Sequence, residues 1–246
     1  MTSALAFRDH AWGRLLLASA LAALSQLLPL AAARTAAELR DAGEFAAAYE
    51  AASGAGGADA LTLAAQAATD QVVYVLAPSG APQEEQRAWL EKALAAARTA
   101  VDLAPDSPDA LMQYARARGE LARRSGVLQN LDVAPELRRT FDAVLELRPD
   151  DPDALVALGM WHLELVQAGV GWLYGGRRDQ VLPLVARGVE AAPERVNLRV
   201  EYAVALNALG QLEAAKEQLR VAVELPAPTA VDRAEQERAR RLLAEW

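Results

Sequence analysis

The chain has 246 residues, a formal net charge of −8 at neutral pH and no cysteine. This length is ample for one large domain or two small ones, and the acidic balance argues against nucleic acid as a partner, because phosphate binding requires a basic surface. The lack of cysteine excludes disulfides, thiolate zinc sites, cysteine nucleophiles and a lipid-bearing cysteine. Abundant alanine, leucine and arginine, with only 5% aromatic residues, favour helices throughout.

The first 33 residues have the order of a secretory signal. A polar, slightly basic stretch ending at Arg14 precedes an apolar segment at residues 15–30, and Ala31, Ala32 and Ala33 follow. This order predicts cleavage after Ala33 and a periplasmic location for a single domain, residues 34–246. Two alternatives remain: an uncleaved inner-membrane anchor, since the segment is at the lower length limit of a spanning helix, and an amphipathic helix of the domain. Contact with a membrane is expected only for the anchor.

Residues 35–103 carry helical periodicity with two interruptions. The runs at residues 35–52, 58–76 and 84–103 repeat apolar side chains at helical spacing. A glycine-rich stretch at residues 53–57 and a proline- and glycine-containing segment at residues 78–82 separate these runs. No run has the sustained two-residue alternation of a strand, so the sequence predicts an all-α protein.

Three proline junctions punctuate the next part of the chain. Pro105, Pro149 and Pro193 follow one another at intervals of 44 residues. Each proline follows a helix that cannot continue, and after the first two a capping residue, Ser107 or Asp151, precedes a proline at the first helical position. Evenly spaced junctions of this kind predict repeated helical hairpins.

The spacing within a unit is that of a tetratricopeptide repeat. Leu155, Leu158, Gly159 and His162 stand at positions of the first-helix pattern, with His162 where the repeat usually has tyrosine. The last unit, which begins at Pro193, has a period of 33 residues, close to the usual length of about 34. The predicted fold is an all-α, tetratricopeptide-like helical-hairpin solenoid of about four units with longer intra-repeat loops. A solvating helix at residues 231–245 ends it, with its charged residues, Glu235 among them, expected in water.

The period of 44 residues exceeds that of the plain repeat by about ten residues. The surplus falls between the two helices of a hairpin, and the resulting inserts lie at residues 78–82, 125–134 and 169–176. Because the units stack in one direction, all three inserts are expected at the same edge of the solenoid, where per-repeat insertions often bind partners. The alternative is that they are longer turns packed on neighbouring helices.

One sequence run carries a resemblance to known families. It consists of Leu158-Gly159-x-Trp161-His162, then Leu173-Tyr174-Gly175, then residues 181–193. This run resembles the repeat core of the TatT-type periplasmic component of TRAP transporters and of the regulator of microtubule dynamics family, and the likeness spans residues 108–246. The resemblance implies an adaptor without catalytic residues, and the first family adds a transporter substrate-binding protein as a partner. The chain departs from the pattern in lacking a lipid-anchor cysteine and in having a shorter insert before Leu173.

The search for reactive groups is mostly negative. Because His10 lies in the predicted signal, only His162 remains in the mature domain, which excludes a histidine metal cluster and leaves His162 as the sole candidate base. Its place at the aromatic position of the repeat favours packing or groove lining. Asp150, Asp151 and Asp153 are interpreted as helix-start residues, since a calcium loop would need a glycine and a distal glutamate that are missing. We therefore predict no catalytic residue, cofactor or metal site.

Two classes of function fit this architecture. In the first, an exported, non-catalytic scaffold binds a protein or peptide through its concave groove and its aromatic insert. The candidate binding residues are Tyr114, Arg118, Trp161, His162, Trp172, Leu173, Tyr174, Tyr202 and Asn207. In the second, the array carries a small molecule in an apolar channel that the aromatic insert closes, as a transporter-associated periplasmic component would. Core packing is the alternative for Trp161 and Tyr202. A homo-oligomer is compatible with either function.

Overall fold

The computed structural model describes residues 34–125 and 133–246. The predicted signal at residues 1–33 and most of the insert at residues 125–134 lie outside these ranges. From Thr35 onward the chain forms one structural unit. Its regular secondary structure is helical, and no strand occurs within the two described ranges, so the predicted all-α class is confirmed. Among the described residues, no helix has the length and apolar character needed to span a membrane.

Twelve helices follow one another along the described residues. They are α1 (Ala36–Ala42), α2 (Phe45–Ala55), α3 (Ala58–Asp70), α4 (Gln83–Leu103), α5 (Pro108–Ser125), α6 (Val133–Leu147), α7 (Pro152–Gln167), α8 (Gly171–Tyr174), α9 (Arg178–Ala191), α10 (Val196–Ala208), α11 (Leu212–Glu224) and α12 (Ala230–Glu245). α3 continues without a break into a π-helical turn, Gln71–Leu76.

Four helical hairpins stack along the chain. They pair α3 with α4, α5 with α6, α7 with α9, and α10 with α11. The first helices of successive hairpins also contact one another, as α3 does with α5 and α7 with α10, and α12 continues this row by packing on α10. These helices form the inner layer of the array and their partners form the outer layer. The predicted solenoid of about four units is thereby confirmed.

The core is a row of clusters, each shared by consecutive helices. Ala64 and Ala97 belong to a cluster of α2, α3 and α4, and Phe141 and Trp161 belong to one of α5, α6 and α7. Toward the C-terminus, Leu219 belongs to a cluster of α10, α11 and α12. Because each helix buries its apolar face against its near neighbours, stability builds up from unit to unit along the array.

The proline junctions start helices as predicted. The Oγ of Ser107 accepts a hydrogen bond from the backbone N–H of Ala110 at 3.3 Å, and Oδ1 of Asp151 accepts one from the N–H of Ala154 at 2.9 Å. These bonds satisfy backbone donors that the first turn of a helix leaves free. The two units therefore begin with the same kind of side-chain cap.

The terminal helix α12 differs in one respect from the solvating helix that the sequence predicts. Arg233, Glu237 and Arg240 are exposed to water, as expected, but the side of the helix that carries Glu235 faces inward, and Glu235 is only 4% exposed. The expectation that Glu235 is solvated is wrong, because α12 continues the inner layer and also contacts α1 at the other end of the array. The first and last helices of the array therefore meet.

Candidate binding surfaces

We term the described parts of the three inserts the insert edge (residues 78–82, 125, 133–134 and 169–176). Ala81 of the first insert packs in the same cluster as Leu121, near the end of α5. Ala134, at the end of the second insert, shares a cluster with Val170 and Tyr174 of the third. The second and third inserts thus share a cluster, and all three inserts pack partly on neighbouring helices, as folded-back turns do. That all three lie at the same edge of the array stays a prediction.

Two of the candidate binding residues fasten the inserts to α7. Trp161 is 5% exposed, and its Nε1–H donates a hydrogen bond of 2.9 Å to the carbonyl oxygen of Ala134. The neighbouring His162 is 3% exposed, and its Nδ1 accepts a hydrogen bond of 3.1 Å from the backbone N–H of Arg177. Each side chain therefore holds the backbone at the end of one insert, a task that burial alone would not perform.

The environment of His162 keeps its ring neutral. Burial lowers the pKa of His162, and the positive charges of Arg138 and Arg177 lower it further, against the smaller opposing effects of Asp179 and Asp142. At neutral pH the imidazole is therefore uncharged, which leaves Nδ1 free to accept the N–H of Arg177. A tyrosine at this position, as in the usual repeat, has no ring nitrogen to make that bond.

The aromatic insert exposes two apolar side chains on an ordered backbone. Trp172 is 84% exposed and Leu173 is 56% exposed, whereas Tyr174 packs into the cluster around Trp161. The N–H of Leu173 donates to the carbonyl of Val170 at 3.0 Å, so the short helix α8 is closed by its own hydrogen bonds. The insert thus holds two large apolar groups in water while its other side is anchored in the core.

The remaining candidate binding residues lie elsewhere. The Tyr114 hydroxyl donates to Glu136, and Nε of Arg118 donates to the same carboxylate at 3.1 Å, which joins α5 to α6. Tyr202 packs between the two C-terminal clusters, and Asn207 is half-buried near the end of α10. The residues predicted to share a groove therefore lie in three places along the array, and their role in binding stays a prediction.

A second group of polar side chains lies on the inner helices, on α1 and in the turn after α3. It consists of nine charged residues and one tyrosine, and we term it the inner charged network (Arg40, Asp70, Tyr74, Arg116, Glu120, Arg123, Glu164, Glu201, Glu235 and Arg238). Asp70 of α3 is fully buried between two arginines. Nε of Arg40 on α1 lies 2.7 Å from its Oδ2, and Nη2 of Arg116 on α5 lies 2.8 Å from its Oδ1, as an ion pair without hydrogen-bond geometry. The carboxylate thus ties three helices together.

Two further groups of contacts lie along the inner layer. Nη2 of Arg123 on α5 lies 2.9 Å from Oε1 of Glu164 on α7. On α12, Nη1 of Arg238 lies 2.7 Å from Oε1 of Glu201 on α10. The last contact joins the two ends of the array, because the hydroxyl of Tyr74, in the π-helical turn after α3, donates a hydrogen bond of 2.9 Å to Oε1 of Glu235 on α12.

The charges of this network compensate one another. Burial alone would raise the pKa of Glu120, but the positive charges of Arg123 and Arg124 outweigh it and hold the pKa below its usual value. Burial likewise opposes the charged form of Arg116, yet the attraction of Asp70 raises its pKa above the usual value. These groups are therefore ionised at neutral pH, and a ligand that enters the inner face has to compete with existing ion pairs.

Sequence reasoning missed this network, although part of its signal is local. Asp70 is the only charged residue between Ala60 and Leu76, a mostly apolar stretch in which Tyr74 follows one helical turn later, and Asp70 has no exposed surface. A lone carboxylate in such a stretch indicates a buried partner, because an unpaired buried charge is strongly unfavourable. The identity of the partners, Arg40 and Arg116, depends on which helices become neighbours.

The aspartates near the second proline junction have structural partners. Asp151 caps α7, Asp150 lies 3.0 Å from Nη2 of Arg187, and Asp153 accepts two hydrogen bonds of 2.6 and 2.9 Å from Arg195. The pair of Asp153 and Arg195 joins neighbouring units, and that of Asp150 and Arg187 holds the junction to α9, which supports their interpretation as junction residues. In residues 34–125 and 133–246, no group of histidine, aspartate and glutamate side chains is arranged to hold a metal ion.

Stacked hairpins with capped starts and a covering terminal helix define a helical-repeat protein of the tetratricopeptide type. The chain is similar to the solved structure of TTC0263, a thermophilic TPR protein of Thermus thermophilus, with a TM-score of 0.60 and 17% identity over 95% of this chain and 98% of that one. Two structures of MamA match at 14% identity with a TM-score of 0.43. They cover 77% and 80% of this chain and 86% and 92% of theirs.

At the level of families, the sequence profile described as regulator of microtubule dynamics protein 1-3 matches residues 36–173. The chain belongs to this family, and the predicted resemblance to it is confirmed, whereas the resemblance to the TatT-type periplasmic component stays a prediction. The match begins well before the region in which the sequence run indicates the likeness, and it ends within the aromatic insert, at Leu173. The comparison with curated proteins gives no match.

Proposed function

We propose that this protein is an exported, non-catalytic scaffold that binds a protein partner at the insert edge. The observation that carries the proposal is the exposure of Trp172 and Leu173, at 84% and 56%, on a backbone that is fastened to the core. Tryptophan is enriched among the residues that dominate binding energy in protein interfaces. A monomer gains nothing from holding a tryptophan and a leucine side by side in water.

The anchoring of the insert supports binding by reducing its entropic cost. Trp161 and His162 hold the ends of the second and third inserts, and Tyr174 packs into the core beneath the exposed pair. The side chains of Trp172 and Leu173 are therefore presented on a backbone that is ordered before a partner arrives. Binding to such a surface loses less conformational freedom than binding to a loose loop.

The positions of the same residues favour a protein partner over a small-molecule cargo. A carrier requires Trp172, Leu173 and Tyr174 to close over an apolar channel, but the first two face water. The inner face of the array carries paired charges instead of an apolar lining. A substrate-binding protein of a transporter remains one partner that the insert edge could accept.

The non-catalytic part of the proposal rests on the state of His162. This side chain is 3% exposed, it is neutral at neutral pH, and its Nδ1 is engaged by the N–H of Arg177. A general base has to reach a substrate proton, and a buried imidazole with a structural hydrogen bond is poorly placed to do so.

Loss of the exposed pair is expected to abolish partner binding. In a pull-down with the tagged full-length chain, Trp172→Ala/Leu173→Ala should reduce the recovery of a specific partner by at least about 30-fold, because an interface hot spot contributes about 2 kcal/mol or more. The matched control is Leu103→Ala/Leu147→Ala, which removes two exposed leucines at the ends of α4 and α6. A partner that is recovered equally with both variants would remove the insert edge from consideration.

Export is tested separately by the mass of the mature protein. If residues 1–33 are a cleaved signal, protein isolated from the periplasm begins at Arg34, and its intact mass lacks these residues. An anchored form would instead retain them and sediment with the inner membrane. Full-length protein in the cytosolic fraction would contradict both forms of the export proposal.

A further inference from the structure

The two ends of the array meet in a small contact, which we term the seam (Gly43 and Tyr74 against Ala230 and Glu235). Gly43 lies between α1 and α2 and approaches α12 so closely that an added Cβ would be 2.9 Å from the Cβ of Ala230. Beside it, the hydroxyl of Tyr74 donates its 2.9 Å hydrogen bond to Glu235. The seam therefore combines one close backbone approach with one buried polar contact.

α12 is held far more firmly to the C-terminal unit than to the seam. The side-chain amide of Gln236 donates to the carbonyl of Leu225 at 2.6 Å and to that of Val223 at 3.0 Å, beyond and within the end of α11. Further along the helix, Leu242 and Trp246 pack on the cluster of α10 and α11. If the array flexes, α12 therefore moves with α10 and α11, and the contact that separates is the seam.

We propose that the seam is a latch that opens and closes the inner face of the array, with the hydrogen bond between Tyr74 and Glu235 as its catch. A solenoid of stacked hairpins is elastic because each unit contacts only its neighbours, so small changes at several interfaces add up to a large displacement of its ends. In the closed form the groups of the inner charged network lie against one another on several inner helices. Opening would expose this network to a partner.

The setting of Glu235 gives the latch a dependence on pH. Asp70 faces this region from α3 and Tyr74 from the π-helical turn after it. Arg116 faces it from α5 and Glu201 from α10, while Arg238 is on α12 itself. Burial raises the pKa of Glu235, aided by the negative charge of Glu201 and opposed by Arg238 and by the hydrogen bond from Tyr74. Burial also raises the pKa of Tyr74, so its hydroxyl remains a donor at neutral pH.

The raised pKa of Glu235 determines whether acid closes or opens the seam. Because the pKa of Glu235 in the closed form is above that of a solvated carboxyl group, protonation favours closure. This contribution is fully present below the ordinary carboxyl pKa and is lost as the pH rises through the raised value. The pKa of Glu120 is lowered, so its charge stays constant across this window. Lowering the pH therefore favours closure of the seam, and raising the pH through the pKa of Glu235 loosens it.

Hydrogen–deuterium exchange of the full-length chain tests the latch, with peptides of α4 as an internal reference. Tyr74→Phe is expected to speed exchange in α1 and in the N-terminal half of α12 by about tenfold, the effect of losing one buried hydrogen bond. Tyr202→Phe, away from the seam, is the matched control and should leave these peptides unchanged. In a series of pH values, exchange at the seam of the unaltered chain should rise with pH relative to α4, whereas Glu235→Gln should keep the seam protected throughout.

A steric variant tests the geometry without any titratable group. Ala230→Leu places a larger side chain against Gly43 and should open the seam at every pH of the series, whereas Ala214→Leu on the exposed face of α11 should not. The proposal is overturned if Tyr74→Phe and Ala230→Leu leave exchange at the seam unchanged. It is equally overturned if they accelerate exchange uniformly in all helices, because the substitutions would then act on global stability alone.

Discussion

Replacing Asp70 by asparagine is expected to lower the free energy of unfolding by about 3 kcal/mol, the lower end of the range for breaking a buried ion pair. Asp70 has no exposed surface and lies 2.7 Å from Nε of Arg40 and 2.8 Å from Nη2 of Arg116. Asparagine preserves the shape but not the charge, so both guanidinium groups lose their counter-ion. They keep 16% and 29% of their side-chain surface in water, which limits the loss.

Urea denaturation of the purified chain measures this effect, provided that the slope with denaturant is unchanged. Asp142→Asn is the matched control, because Asp142 also accepts from an arginine, Arg138, but is 44% exposed. Its removal should change the free energy of unfolding by no more than about 0.5 kcal/mol, as for other surface pairs. A loss below about 1 kcal/mol for Asp70→Asn would show that the three helices are not held by this carboxylate.

The parts of the fold that sequence reasoning predicted correctly are those with local causes. Ser107 and Asp151 cap helices because of the residues that immediately follow them, and no distant contact is needed for that. The proline spacing predicts hairpins for the same reason, since proline acts on the helix that contains its neighbours. The exposure of Trp172 and Leu173 also agrees with a short insert that glycines separate from the flanking helices.

The parts that sequence reasoning could not predict depend on distant contacts. Tyr74 and Glu235 are 161 residues apart, and they meet only because the angles between successive hairpins accumulate along the whole array. The helix at residues 231–245 carries charges on all sides, so its sequence alone does not show which side faces inward. The bond from Arg177 to His162 likewise requires the insert to fold back on α7. The curvature of the array and the packing of the insert on α7 both depend on many residues that are distant in sequence.

The close contact of α7 with α9 at Gly159 makes the stability of the chain sensitive to one added methyl group. Gly159→Ala should destabilise the chain by about 2 kcal/mol, within the range for overpacked cores. The added Cβ would lie 2.5 Å from Cγ2 of Val185 and 3.1 Å from the carbonyl oxygen of Val181. The methyl group of Val185 has some freedom to adjust, but the backbone oxygen can move only if α9 moves.

Two further variants separate steric conflict from helix propensity in urea denaturation. Gly119→Ala, in the middle of α5, meets only Cδ1 of Leu137 at 3.6 Å, so it should stabilise the chain by up to about 1 kcal/mol through its helix propensity. Combining Gly159→Ala with Val185→Ala removes the nearest conflict, and the pair should show a favourable coupling of about 1 kcal/mol. If Gly159→Ala stabilised the chain as Gly119→Ala is expected to do, α7 and α9 would not be packed too closely for an added Cβ. α7 also carries Trp161 and His162, so forcing it away from α9 should loosen the insert edge and weaken partner binding.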